Sequence, residues 1–213
     1  MTGSLRLAEL LCARLCHDLS GPLGALIGVL EMAREEIPAN ETVVLAEQTA
    51  VELAQRLKLL RAAWGLDGEE LDLLRLQSLA ASLSASRRLR LDLAGLEPGL
   101  IFAPPLARLV LNLLLLAAES LPGGGIVALS GMSSDNLLIT ISGPRAAWPA
   151  GFGGCLADEA AAEAAALSSV RGLQAPLTVL LARGFGYRLS MLMPVGAGGD
   201  SAAAPPLMLS RLR

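Results

Sequence analysis

The sequence predicts an α+β protein: an N-terminal helical hairpin followed by an α/β sandwich. Three observations carry this. Apolar residues recur at helical spacing over residues 4–36 and again over about 41–64. Only residues 37–40 separate the two segments, which leaves room for nothing but an antiparallel turn. After Gly65 the pattern changes, and helical stretches mix with alternating strands bounded by glycine and proline. These shifts divide the chain into a hairpin over residues 1–65, a sandwich over 66–195 and a flexible tail over 196–213.

The elements follow in order. Gly21-Pro22 is the only interruption of the first helix, and Pro38 closes it. Asn40 is the expected N-cap of the second helix and Gly65 its stop. Helices of ~35–50 Å, at 1.5 Å per residue, cannot bury their apolar faces in one hairpin. The simplest remedy is a homodimer that forms a four-helix bundle. Residues 71–85 read as a helix, and 87–93 alternate as a strand. Pro105 stands near the start of a strongly apolar helix that runs to about Leu121. Pro122 and Gly123 to Gly125 turn the chain into strands near 126–130 and 136–142. An alanine-rich stretch over 157–166, a helix near 170–183 and a last strand over 187–193 complete a layer of helices on a sheet. Residues 196–206 are Gly, Ala, Asp, Ser and Pro, and mobility is expected there.

Composition narrows the function. The 213 residues are 53% hydrophobic but only 3% aromatic, so the core must come from Leu, Ala and Val. A net charge of -3 and a pI of about 5.3 argue against a dedicated nucleic-acid binder, which would show a basic face with stacking aromatics. Mean hydropathy of +0.55 invites a membrane reading. The longest apolar run, over 109–118, contains Asn112 and is about half the ~20 residues a span needs. Arg6, Glu9 and Arg14 interrupt the first leucines, which is not a signal-peptide shape. The expectation is a cytoplasmic protein. Cys12, Cys16 and Cys155 give no disulfide framework, in keeping with a reducing compartment. On a helix Cys12 and Cys16 share a face from which His17 points at least ~100° away, so no metal set forms and both are expected as buried structural thiols.

The stretch CHDLSGPLG, residues 16–24, holds the chain's one histidine. On a helical wheel Arg14, Gly21, Gly24, Gly28 and Glu31 fall within ~60° of His17. Ala8, Leu11, Cys12, Leu15, Leu19, Pro22, Leu26, Val29, Leu30 and Ala33 fall on the opposite, core half. Three helix-interior glycines and a proline carry an intrinsic penalty on the order of 6 kcal/mol, which packing must offset. Pro22 removes the N–H that would bond the Asp18 carbonyl, so a kink is expected beside the histidine. A glycine stripe beside an imidazole lets another helix come into contact, and docking is the role assigned to Gly21, Gly24 and Gly28. An exposed neutral imidazole is a nucleophile at cytoplasmic pH. Asp18 would orient it or take its proton. With a turn at 37–40, His17 lies level with about residue 60, and Lys58, Arg61 and Arg14 surround it. They either stabilise a phosphoryl group on nitrogen or are solvated helix ends that favour the C-terminal dipole.

Leu15-Cys16-His17-Asp18-Leu19-Ser20-Gly21-Pro22 resembles the H-box of histidine-kinase dimerisation domains. Together with Leu60-Arg-Ala-Ala-Trp-Gly65 and the stretch over 111–125, it resembles the ChpT-type bacterial histidine phosphotransferases, up to about Met193. The resemblance implies a dimerising hairpin and a second domain like a kinase ATP-binding (Bergerat) domain that has lost its nucleotide site. Three differences from a working kinase agree with that loss. Leu116 stands where the later, metal-holding Asn would be. Ser142 and its neighbours replace the base-binding Asp-x-Gly-x-Gly motif. Val170-Arg-Gly-Leu-Gln-Ala replaces the phosphate-binding glycine box. An apolar residue cannot serve Mg²⁺, which demands oxygen donors.

The expected function is thus a homodimeric histidine phosphotransferase. His17 takes a phosphoryl group from one receiver-domain aspartate and passes it to another. The resemblance implies no cofactor of its own, Mg²⁺ supplied by the receiver, a hybrid kinase of the CckA type as donor, and regulators of the CtrA or CpdR type as acceptors. The rivals are a non-catalytic dimeric scaffold or kinase inhibitor, and an active kinase fragment, which Leu116 and Ser142 disfavour.

Overall fold

The structure, a computed structural model, describes residues 3–32, 39–65, 68–133, 135–192 and 204–212. Helices α1 (Gly3–Met32) and α2 (Ala39–Trp64) form the hairpin. Asp18 and Arg56 touch across it, and roughly equal lengths of helix separate each from the connection, so the helices run antiparallel. α1 continues through Pro22 as unbroken helix. The expected N-cap at Asn40 is corrected: α2 already begins at Ala39, which puts Asn40 inside the helix. The turn expected at 37–40 lies partly outside the described residues.

The foot of the hairpin is not a separate core. Leu59, Leu60 and Ala63 of α2 are fully buried, in one cluster with Leu76 of α3 (Leu73–Arg87) and the leucines of α4 (Pro104–Glu119). α3 starts where the Asp72 carboxylate accepts the Arg75 N–H at 2.7 Å, an ordinary N-cap. α4 has Pro104 and Pro105 in its first turn, where the missing N–H groups leave nothing unmade. Its residues from Leu106 to Ala118, except Arg108, are buried, so it is apolar on every side and forms the centre of the molecule.

The sheet has five strands: β2 (Leu89–Leu96), β4 (Gly125–Ser133), β5 (Asn136–Ser142), β6 (Tyr187–Met191) and β7 (Leu207–Arg211). Their spatial order is β2-β4-β5-β7-β6, with β2 and β4 parallel and every other pair antiparallel. Leu137, Ile139 and Ile141 of β5 point to the core between more exposed neighbours, the alternation of a sheet covered on one face. A separate two-residue pair joins β1 (Leu71–Asp72) to β3 (Ile101–Phe102). Helices α5 (Phe152–Ala157), α6 (Glu159–Ala166) and α7 (Gln174–Gly184) complete the helical layer.

Three expectations are corrected here. The flexible tail over 196–213 ends in β7, which pairs with β5 and β6 on either side, with Leu207 and Leu209 fully buried. Residues 196–203 of that call lie outside the described residues, and the Gly-, Ala- and Pro-rich run over 196–206 is followed directly by the strand that the sheet needs to connect β5 to β6. Cys12 and Cys16 are exposed, and only Cys155 is buried. Leu30 is also half-exposed, so the core stripe of α1 is narrower than the wheel drew it. No helix among the described residues is long and apolar enough to cross a membrane.

Candidate functional site

His17 lies in the first half of α1, its side chain 62% exposed. Its Nδ1 stands 3.4 Å from Asp18 Oδ1, which leaves Nε2 as the ring nitrogen not facing that carboxylate. The helix beside it is open. A Cβ added at Gly21, Gly24 or Gly28 would meet nothing within 4 Å, so within one chain these glycines serve no close packing.

Asp18 is the better-held residue, with a side chain 9% exposed. Arg56 donates to its Oδ2 at 3.1 Å, and Arg14 Nε forms an ion pair with its Oδ1 at 3.2 Å, without hydrogen-bond alignment. Burial alone would push this carboxyl up, but Arg14 and Arg56 outweigh it and hold it below its ordinary value. An ionised acceptor of that kind orients Nδ1–H well and is a poor proton acceptor. Both roles expected of Asp18 need the contact with Nδ1 that the structure shows, and the lowered pKa makes the carboxylate the weaker base.

Arg14 was expected on the outer face beside His17, free to meet phosphate. It is buried. The α/β domain covers this side of α1: Leu10 packs on Ala166, Leu173 and Leu177. Arg14 is ion-paired with Glu119 at the end of α4 and donates to the carbonyls of Val170 and Arg171, each at 3.2 Å. Its guanidinium is spent inside the protein, so the phosphate-binding role expected of it is withdrawn.

Lys58 and Arg61 are exposed, but they line a cleft of about 500 Å³ with Arg75 and Arg108 whose described lining does not include His17. The level argument was off by about one helical turn. Asp18 meets Arg56, so the level of His17 on α2 is near residue 57, not 60. Arg56 is the residue that sequence reasoning missed, and its spacing from Asp18 becomes readable only once the hairpin register is known.

The positions that resemble a kinase nucleotide site are used internally. Asn112 is fully buried, accepts from Trp64 Nε1 at 3.1 Å and Gln174 Nε2 at 3.0 Å, and donates to the Ala63 and Arg108 carbonyls at 2.9 and 2.8 Å. It ties α2, α4 and α7 together. Leu116 is fully buried in the core. The altered glycine box supplies Gln174 to Asn112 and its first carbonyls to Arg14. Among the described residues no three His, Cys, Asp or Glu side chains gather to hold a metal ion.

Fold and site together define a class: a helical hairpin that presents a histidine, joined through its foot to an α/β sandwich. The family model described as the histidine phosphotransferase C-terminal domain matches residues 74–194, more than half of the chain, and the chain belongs to that family. The protein phosphotransferase ChpT of Brucella abortus (strain 2308) is 29% identical over 146 residues, covering 66% of this chain and 69% of that relative. A solved bacterial phosphotransferase at 1.7 Å shares the fold, with a TM-score of 0.75 at 24% identity over 99% of this chain and 98% of that one.

Proposed function

We propose that the chain relays a phosphoryl group between receiver-domain aspartates through His17. The observation that carries this is an exposed imidazole whose Nδ1 faces a buried carboxylate paired with two arginines, which leaves Nε2 as its second nitrogen. In the forward step the Nε2 lone pair forms the N–P bond. The P–O bond of the acyl phosphate breaks, and its electron pair leaves with the receiver's carboxylate. Nδ1 keeps its proton, and Asp18 stabilises the charge that develops on the ring. The return step reverses these bonds toward a second aspartate. Mg²⁺ belongs to the receiver in this reading, and ATP has no part in it.

The receiver docks over Gly21, Gly24 and Gly28, where open backbone lets a helix approach the imidazole. The working form is a dimer. Leu23, Ile27 and Leu30 of α1 are half-exposed at heptad steps of four and three, and Val43, Val44, Leu45, Val51 and Leu57 of α2 are half-exposed too, apolar surface suited to a second copy in a four-helix bundle. Donor and acceptors of the CckA and CtrA or CpdR types, and a cytoplasmic site of action, complete the reading.

The test is radiolabel transfer from purified, phosphorylated receiver domains to the full chain and on to fresh receivers. Fast labelling by a subset of receivers supports the reading. Labelling by none, with binding intact, supports the scaffold instead. Direct labelling by ATP and Mg²⁺ would revive the kinase.

A further inference from the structure

We propose that Glu119 is a positioning residue: acting through Arg14 and Asp18, it sets the orientation and tautomer of His17, so that the α/β domain controls the nucleophile on the hairpin. The transfer arm of this proposal rests on the phosphotransfer reading above; the tautomer arm stands without it.

One oxygen of Asp18 serves two neighbours. Asp18 Oδ1 faces both Arg14 Nε, at 3.2 Å, and His17 Nδ1, at 3.4 Å, while Oδ2 is taken by Arg56. Arginine and imidazole therefore share one acceptor oxygen, and the imidazole keeps it only while the guanidinium does not take the carboxylate side by side. A guanidinium and a carboxylate left alone prefer two parallel hydrogen bonds. Arg14 does not adopt that arrangement. Nη2 is held by Glu119, and Nη1 is held by the carbonyls of Val170 and Arg171. Only Nε is left toward Asp18, and it lacks hydrogen-bond alignment there. Among the described residues, the groups that hold the guanidinium away from Asp18 belong to the α/β domain: the end of α4 and the turn between α6 and α7.

Removing Glu119 frees Nη2. Arg14 then turns onto Asp18, both engage side by side, and Oδ1 is withdrawn from the imidazole. The tautomer of a neutral histidine is set by the hydrogen bond that its other nitrogen makes. Without the acceptor at Nδ1 the proton moves to Nε2, and an Nε2 that carries hydrogen has no lone pair for phosphorus. Arg14 pairs with both Asp18 and Glu119, and Arg56 with Asp18, so the ionic cluster spans the two parts of the protein.

The chain's single histidine makes the test direct, because ring-¹⁵N-labelled protein gives one pair of imidazole nitrogen signals. These are read in full-length wild type, Glu119→Gln and Glu119→Ala at a pH where the ring is neutral. Transfer from a phosphorylated receiver is followed in the same samples. The proposal expects a mainly Nδ1–H ring in wild type and a shift toward Nε2–H in Glu119→Ala. Transfer at saturating receiver should fall about ten-fold there, with KM unchanged, since small misplacements of a nucleophile are costly. Glu119→Gln, which keeps an oxygen for Arg14 without the charge, should lie between and keeps the test open if the alanine variant unfolds. Wild-type tautomer ratio and rate in a folded variant would overturn the proposal, even with a lowered melting temperature, and would leave Glu119 a purely structural contact. A wild-type protein that accepts no phosphoryl group would sink the proposed function, while the ring signals would still decide the role of Glu119.

Discussion

Asp18 and Arg56 meet at 3.1 Å across the hairpin, and this contact pins the register that places His17. Both side chains are largely buried, at 9% and 16% exposure. Arg56→Met should leave Asp18 paired with Arg14 and destabilise the fold by about 2 kcal/mol, the cost of losing a hydrogen bond to a charged group whose charge is still offset. Urea unfolding of the variant against wild type measures it. A change within experimental error would mean that the pair contributes nothing to the hairpin.

The lowered pKa of Asp18 has a signed consequence. A carboxyl that is more acidic folded than unfolded adds stability above its unfolded value, about 4, and that contribution is lost as pH falls through the folded value. The stability gap between wild type and Asp18→Asn should therefore be constant near neutral pH and shrink below about pH 4. Urea midpoints of both proteins from pH 7 downward check this. A gap that widens on acidification would reverse the assigned sign.

The exposed stripe on the hairpin calls for a partner helix pair. Wild type should be a dimer at micromolar concentration, and Leu23→Glu or Val51→Glu, each placing a charge on a half-exposed apolar position, should make it a monomer. Light scattering decides. A wild-type monomer would remove the four-helix bundle from the account.

Gly24→Leu separates docking from packing. The space above Gly24 is open, and leucine is the better helix former by several tenths of a kcal/mol. The melting temperature should equal or exceed that of wild type, while transfer falls about ten-fold because a branched side chain holds the receiver off the imidazole. A strongly destabilised variant that transfers normally would assign the glycine to packing in the dimer.

The sequence made the periodic elements legible. Both hairpin helices, α4 and the β4–β5 pair stand within a few residues of their expected places because each has a strong apolar period or a marked turn. It hid β7, because Leu207 to Arg211 follow a small, polar stretch and pair with strands distant in sequence. His17 and its glycines stood out because helix formers are absent where a helix runs. Arg14 and Arg56 were misread or missed for a common reason: the wheel of one helix shows faces but not what covers them. The α/β domain turns the exposed side of α1 near Leu10 and Arg14 into an interior, and only the hairpin register brings Arg56 to Asp18.

The central claim is that His17 carries the phosphoryl group, and one measurement tests it most directly. The full chain is mixed with a phosphorylated receiver, and the product is examined by intact mass and ³¹P NMR, in wild type and in His17→Ala. The account predicts a single added phosphoryl group with acid-labile, alkali-stable phosphoramidate character in wild type. It predicts none in a His17→Ala protein that melts like wild type, since the side chain is largely exposed. A phosphoryl group retained by folded His17→Ala would contradict it, because no other histidine exists in the chain to hold one.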